Sequence, residues 1–201
     1  MNKGFSVPQP RCSKKGQSFV ELALLFPAFL LLVLGVVDLG YVLYLSSFAN
    51  RLSREGANLA ARVLGRDQLT QVIDVLDDIA KPTLAPSARR KIIVSRLKAK
   101  VIGNEVKAEI EDRRESGAAT DLPSRFGQVG GLLDDATMRS KFNGEILRNE
   151  EEVIVVEVLY KQKAITPLRF LWFGGAFGED IRLYSVATFF LVARASPFAP
   201  L

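Results

Sequence analysis

Two carboxylates stand in a stretch that is otherwise free of charge. Glu21 opens the apolar run LALLFPAFLLLVLGVVDLGYVLYL, and Asp38 interrupts it; the run extends over 24 residues, Leu22 to Leu45. An ionised carboxylate at or inside hydrocarbon is costly unless it finds a partner, so an acid in such a place is a candidate functional residue. The chemistry it offers is ion pairing and register, not bond making. Catalytic alternatives are poorly supplied. The chain has no histidine and one cysteine, Cys12, which excludes His-based triads, Cys–His zinc sites and haem ligation through His. No nucleophile motif and no Gly-rich phosphate cradle occurs, and no spacing singles out a paired-carboxylate or Ser–Lys site. The expectation is a protein without catalysis, cofactor or metal.

The element that must position the acids is a helix. At about 1.5 Å per residue the run covers roughly 36 Å, enough for a hydrocarbon core of about 30 Å. A buried core helix of that length would show a polar stripe, and this one shows almost none. A secretory h-region is shorter and ends at a small-residue cleavage site; here helical sequence follows. Glu21 sits at the entry to the span. Asp38 lies 17 residues on, about 25 Å up the helix, and its plainer reading is an interfacial acid reaching water. Pro27 would remove one helical hydrogen bond and kink the span. Gly35 and Gly40 would permit close helix–helix approach.

Gly16 follows Ser13-Lys14-Lys15 and precedes Glu21 by five positions. Basic residues, Gly, a first residue, Glu at the fifth position and a long apolar helix resemble the leader of type IV prepilins. That resemblance implies a membrane-embedded prepilin peptidase cutting between Gly16 and Gln17, with the helix retained.

A net charge of +5 and a pI near 9.4 invite a nucleic-acid reading, but the distribution opposes it. Four of the 27 basic residues, Lys3, Arg11, Lys14 and Lys15, lie in residues 1–16 with no acid among them, leaving 23 against 22 acidic residues. Most of the excess is a membrane-orienting leader. By the positive-inside rule the N-terminus is cytoplasmic and the C-terminal domain exported, although Arg51, Arg54, Arg62 and Arg66 lie on the far side. An exported domain without cysteine has no disulfide framework.

The chain divides into a basic leader (1–16), a transmembrane helix (17–48) and an exported domain (49–201). The helical pattern continues past the membrane through Phe48, Leu52, Leu59 and Val63, so one helix is expected from Ser18 to Leu64, with Gly56 a soft point, Gly65 its C-cap and Arg51–Glu55 an i,i+4 pair. Asp67 is expected to cap a second helix, Gln68 to Ala80, with Leu69, Val72, Ile73, Leu76 and Ile79 on one face. The basic segment from Ser87 to Gly103 reads as a third helix, on Ile93, Leu97 and Val101, with its cations solvated or facing anionic lipid. Residues 105–111 alternate as a half-buried strand. Residues 115–150 read as a loop-rich, partly ordered insertion with a short helix at Leu132 to Arg139. Glu152 to Lys161 is a central strand and Ile181 to Val192 another; the aromatic, Gly-rich turn between them reads first as a packing loop. The fold class is α+β: a long N-terminal membrane helix continuing into a pilin-like domain, with further helices on an antiparallel sheet.

With these residues in view, the chain resembles the TadE-like family of tight adherence (Flp) pilus assembly. The first stretch that carries the resemblance is Gly16, Val20, Glu21, Ala23, Leu24 and Pro27, then the apolar run, then Gly35-Val36-Val37-Asp38-Leu39-Gly40, then Ser53-Arg54-Glu55-Gly56-Ala57. The second is strand 152–161, the turn Thr166-Pro167-Leu168, an aromatic–Gly segment and strand 181–192. Leu22 stands where the family often has an aromatic, and Tyr41 where it often has Arg. The resemblance implies a minor pilin or pseudopilin in a bacterial inner membrane, with other pilin subunits, the pilus assembly platform, the prepilin peptidase and the lipid bilayer as partners and no nucleic acid. Glu21 would be its register residue, paired with the α-amine of Gln17; Gly35, Asp38, Gly40, Arg54 and Glu55 would make helix contacts. An uncleaved single-pass scaffold of the same machinery is the alternative.

Overall fold

The computed structural model describes residues 14–62, 66–103, 105–142, 147–163, 165–166 and 180–191. The expectations for Val63, Gly65 and the aromatic turn at 167–179 lie outside these residues.

A single helix, α1 (Lys14–Arg62), runs for 49 residues and continues through Pro27. α2 (Arg66–Ala80) follows. The strands are β1 (Arg90–Ile102), β2 (Glu105–Ser116), β3 (Leu132–Leu133), β4 (Glu152–Gln162) and β5 (Ile181–Leu191), with a short helix α3 (Asp135–Lys141) after β3. They form one antiparallel sheet in the order β3-β2-β1-β4-β5. The α+β architecture expected from the sequence is the one observed.

The upper half of α1 buries Leu45, Ala49, Leu52, Ser53, Ala57 and Ala60, a stripe at spacings of three and four that lies across β4 and β5. α2 buries Leu69, Val72, Ile73, Leu76 and Ala80 beside it. The seam is close. A Cβ on Gly56 would come 2.8 Å from Leu76 Cδ1, so this glycine is a packing position rather than the soft point expected. Leu59 and Ile79, expected on the inner faces, are over two-fifths exposed. Asp67 falls inside the first turn of α2, two residues past the cap position.

The basic segment 87–103 is corrected from helix to strand. After a 3-10 turn at Ser87–Arg89 it forms β1, paired on both sides. Ile93, Leu97 and Val101 recur every four residues, a spacing that also keeps residues on one side of a strand, so periodicity could not decide. The β-branched run Ile92-Ile93-Val94, all buried, favours the strand. Its cations meet carboxylates: Lys91 with Glu115 (2.9 Å), Arg96 with Glu152 (3.4 Å), Lys98 with Glu150 (2.7 Å) and Lys100 with Glu109 (2.8 Å).

β2 carries a bulge. Arg96 opposes Asp112 while Leu97 opposes Ile110, leaving Glu111 as the extra residue. The bulge reverses which residues face the helices. Ala108 and Ile110 point away from α2 with Leu97 and Ala99, whereas Arg114, beyond it, donates to Thr70 on α2 (3.2 Å).

The stretch 115–150 supplies a third layer. Ala119, Leu122, Phe126, Leu133, Met138, Phe142 and Leu147 are buried against the sheet face opposite the helices, formed by Leu97, Ala99, Ile110, Val153, Val155 and Leu159. β4 is thus covered on both faces, which explains its unbroken apolar run. α3 is the short helix expected there; Asp134 caps it by accepting from the Thr137 amide (2.8 Å).

Candidate functional site at the junction of helix and domain

From Phe19 to Val37, α1 is a bare apolar rod. Phe19, Leu22, Leu25, Phe26, Phe29, Leu32, Val36 and Val37 are all exposed, and the most apolar window of the helix is not buried by any part of the protein. Nineteen residues rise about 28 Å, close to the hydrocarbon thickness of a bilayer. By length and composition this helix is long and apolar enough to cross a membrane.

The rod meets the domain at Asp38. Its carboxylate is 6 % exposed. Oδ1 accepts the backbone amides of Ile165 (2.9 Å) and Thr166 (3.0 Å), and Oδ2 accepts the Thr166 hydroxyl. These amides lie just past the end of β4, where the chain leaves the sheet and would otherwise have donors without acceptors. Asp38 is therefore not the water-reaching acid expected. It is buried, and among the described residues its hydrogen-bond partners are neutral donors. Such bonds to an ionised acceptor contribute about 1.5–3 kcal/mol each, which offsets the desolvation of the carboxylate. The expectation of water rested on depth in the bilayer and left out the loop that the domain brings to the helix.

A second polar link lies three to four turns higher. The Ser185 hydroxyl on β5 donates to Asn50 Oδ1 (2.6 Å) and sits 2.8 Å from Ser53 Oγ; Ser53 is also 3.0 Å from the Asn50 carbonyl. Between these links Leu45 and Ala49 are fully buried. The helix is thus fastened to the turn after β4 and to the middle of β5.

The other residues singled out from the sequence behave differently. Gly16 and Gln17 lie in the first turn of α1. Glu21 is exposed at the foot of the rod, remote from Asp38. A Cβ on Gly35 or Gly40 would meet nothing within 4 Å among the described residues, so none of these calls for a glycine at either place. Arg54 and Glu55 are exposed on the outer side of α1. Of the candidates, then, Asp38 is the one placed at the junction of helix and domain.

Among the described residues Arg90, Asp112 and Glu157 are buried charged groups that were not singled out, and two of them join separate elements. Glu157 on β4 is fully buried and accepts from the Arg125 amide (2.9 Å), the Tyr184 hydroxyl (3.0 Å) and the Ser124 hydroxyl. The Arg125 guanidinium lies 3.9 Å from the Tyr184 ring centre. Burial pushes the Tyr184 hydroxyl well above its ordinary pKa, and the Glu157 charge adds to this. It stays protonated and donates, fixing the loop over the sheet. The signal was available: Glu157 is the one acid within the apolar run VIVVEVLY. The second is Arg90, whose Nε (3.1 Å) and Nη2 (2.7 Å) both reach Asp77 Oδ1. Burial of Asp77 raises its pKa, but hydrogen bonds from Ser116 and Arg90 and the Arg90 charge outweigh this and hold it below the usual carboxylate range.

A cleft of about 590 Å³ opens beside Lys91, Arg113, Glu115 and Ser124. Its charges are already matched, Glu115 pairing with both Lys91 (2.9 Å) and Arg113 (2.7 Å), so it presents no convergent set of unspent groups. Among the described residues no cluster of metal-ligating side chains occurs. The arrangement can hold the upper part of a long helix rigidly against a domain while its lower part stays bare.

No curated protein and no solved structure matches the chain. Residues 16–58, the rod, the Asp38 junction and most of the packed part of α1, match the family of TadE-like proteins, the family to which the sequence pattern points.

Proposed function

We propose that this protein is a non-catalytic component of tight adherence (Flp) pilus assembly, a minor pilin or pseudopilin inserted in the inner membrane by α1 with its domain exported to the periplasm. The observation that carries the reading is the TadE-like match over residues 16–58, falling on a helix whose lower part is a bare, membrane-length rod and whose upper part is built into the domain. The basic leader supports a cytoplasmic N-terminus. Gly16 followed by Gln17 and Glu21 supports cleavage after Gly16 by a prepilin peptidase. In a bundle of such helices each Glu21 enters an apolar environment, and a buried carboxylate needs a cation. The α-amine released at Gln17, in the same or a neighbouring subunit, supplies it. Correct stagger satisfies the charge and incorrect stagger leaves it bare, so Glu21 acts as a register device. Other pilin subunits, the assembly platform and the peptidase are the partners this implies.

The test is the mature N-terminus, read by mass spectrometry of the membrane fraction with and without the peptidase. A peptide beginning at Gln17 that depends on the peptidase supports the pilin reading. A start at Met1 or Asn2 in both overturns cleavage and moves the protein to an uncleaved scaffold of the same machinery.

A further inference from the structure

We infer that the protein self-associates as a parallel two-fold dimer, through the outward faces of α1 and α2, with arginines of one copy against aspartates of the other. The inference rests on α1 spanning a membrane and not on the pilus reading.

The two helices lie side by side on one face of the sheet, and their outer faces carry opposite charge. On α1, Arg51, Arg54, Asn58 and Arg62 are exposed at helical spacing with one acid, Glu55. Among the described residues none of these three arginines makes an ion pair or hydrogen bond within the chain. On α2, Gln71, Asp74 and Asp78 are exposed in the same way. Asp78 pairs with Lys81 (2.5 Å), but both are largely exposed, and such surface pairs hold weakly enough to rearrange. Between the stripes runs an apolar seam. Leu59 lies three residues on from Gly56, and Val75 and Ile79 flank Leu76; all three are over two-fifths exposed beside the Gly56–Leu76 contact.

A basic stripe, an apolar seam and an acidic stripe in that order form a self-complementary surface. A half-turn about an axis along the seam sets each basic stripe against the partner's acidic one and the seam against itself. The axis also suits the membrane. It runs along α1, so both spans enter the bilayer in the same direction. The free edge of β5 offers no such solution. α1 runs alongside β5, from Ile165 and Thr166 at Asp38 to Ser185 at Asn50 and Ser53. Antiparallel edge pairing needs an axis through the sheet, which would point the two spans in opposite directions.

Register follows from the Gly56–Leu76 contact. α1 ascends and α2 descends, so Arg54 stands level with Asp78 and Asn58 with Asp74. An axis along the helices preserves height, placing Arg54 opposite Asp78 of the second copy. Lys81 of that copy comes level with Arg51, with Glu55 one turn above to receive it.

The test uses the full chain in detergent and in liposomes, with sedimentation equilibrium and crosslinking as readouts. Arg54→Asp and Asp78→Arg each place like charges at both contacts of a homodimer, and each is expected to weaken self-association at least tenfold. Mixed together they restore both contacts, so the mixture is expected to dimerise where neither does alone. In a Cys12→Ser background, Arg54→Cys with Asp78→Cys in one chain is expected to crosslink between copies, and Arg54→Cys alone is not. Both sites are exposed, and unchanged circular dichroism verifies that the variants fold. A monomeric wild type, no recovery on mixing, or equal crosslinking by Arg54→Cys alone overturns the inference. So does a wild type that stays monomeric by itself and is retained only by a different membrane protein.

Discussion

Replacing Asp38 by Ala removes the acceptor for three donors at once: the Ile165 and Thr166 amides and the Thr166 hydroxyl. Each buried donor left unsatisfied costs about 1–3 kcal/mol. Removing the carboxylate also ends its desolvation cost, and the turn at 165–166 can swing partly toward water. A net loss of about 3 kcal/mol is expected, which for a domain of this size lowers Tm by roughly 6–12 °C. Asp38→Asn behaves differently. Its carbonyl oxygen can accept both amides as Oδ1 does now, and its NH2 can donate to a reoriented Thr166 hydroxyl. Only the charge assistance is lost, about 1 kcal/mol per bond, against a lower burial cost. The order of stability is therefore wild type, then Asn close below, then Ala well below. Hydrogen exchange in detergent gives the local reading. The Ile165 and Thr166 amides should exchange about 30-fold faster in Asp38→Ala, the equivalent of about 2 kcal/mol, while amides in the middle of β4 change less. Unchanged protection at 165–166 in Asp38→Ala, or Asn more damaging than Ala, would refute the account.

Asp77 gives a pH test. Its folded pKa lies below the ordinary aspartate value, so its contribution is fully present above about pH 4 and is lost as pH falls through the folded value. Melting curves of wild type and Asp77→Asn should differ at pH 7 and converge below pH 4; a gap that widens with acid contradicts this. Gly56→Leu drives a branched side chain into Leu76, where even a Cβ comes within 2.8 Å, and overpacking of this kind costs about 1–3 kcal/mol. Chemical denaturation should show that loss, and an unchanged midpoint would mean the helices separate freely at the seam. Glu21→Ala leaves the membrane run intact and should impair assembly without impairing insertion. Membrane fractionation together with pilus incorporation reads this out, and normal incorporation sinks the register role.

What the sequence disclosed depended on how its signals were encoded. The long apolar helix and α2 are read from composition and a 3.6-residue period, and both lie where expected. β4 and β5 follow from β-branched runs. β1 was misread because a spacing of four is a multiple of two as well as near one helical turn, and because its lysines and arginines suggested a solvated helix face. Their partners Glu109, Glu115, Glu150 and Glu152 lie on or beside other strands, and that pairing exists only once the sheet is assembled. The 115–150 cover has no sustained period; Phe126 reaches the sheet from irregular backbone, and Met138 and Phe142 from a helix of two turns and its end. The site was half legible. Asp38 stood out by its apolar neighbours, but Thr166 is 128 residues away, and no local pattern links a capping acid to a turn that distant.

The continuity of α1 has a mechanical consequence. In a bilayer, lipid would hold the lower part of the rod while the domain holds the upper part, with the Asp38 attachment between them. From Asp38 to Arg62 the rod extends about 36 Å. A change in the tilt of the membrane part of about 5° would swing the far end by about 3 Å, and the sheet fastened along it would follow. A pull along the axis loads the Asp38 and Ser53–Ser185 links together in shear rather than peeling them apart one after the other. The protein is thus built as a lever, transmitting displacement of its lower end to the outer surface of the domain.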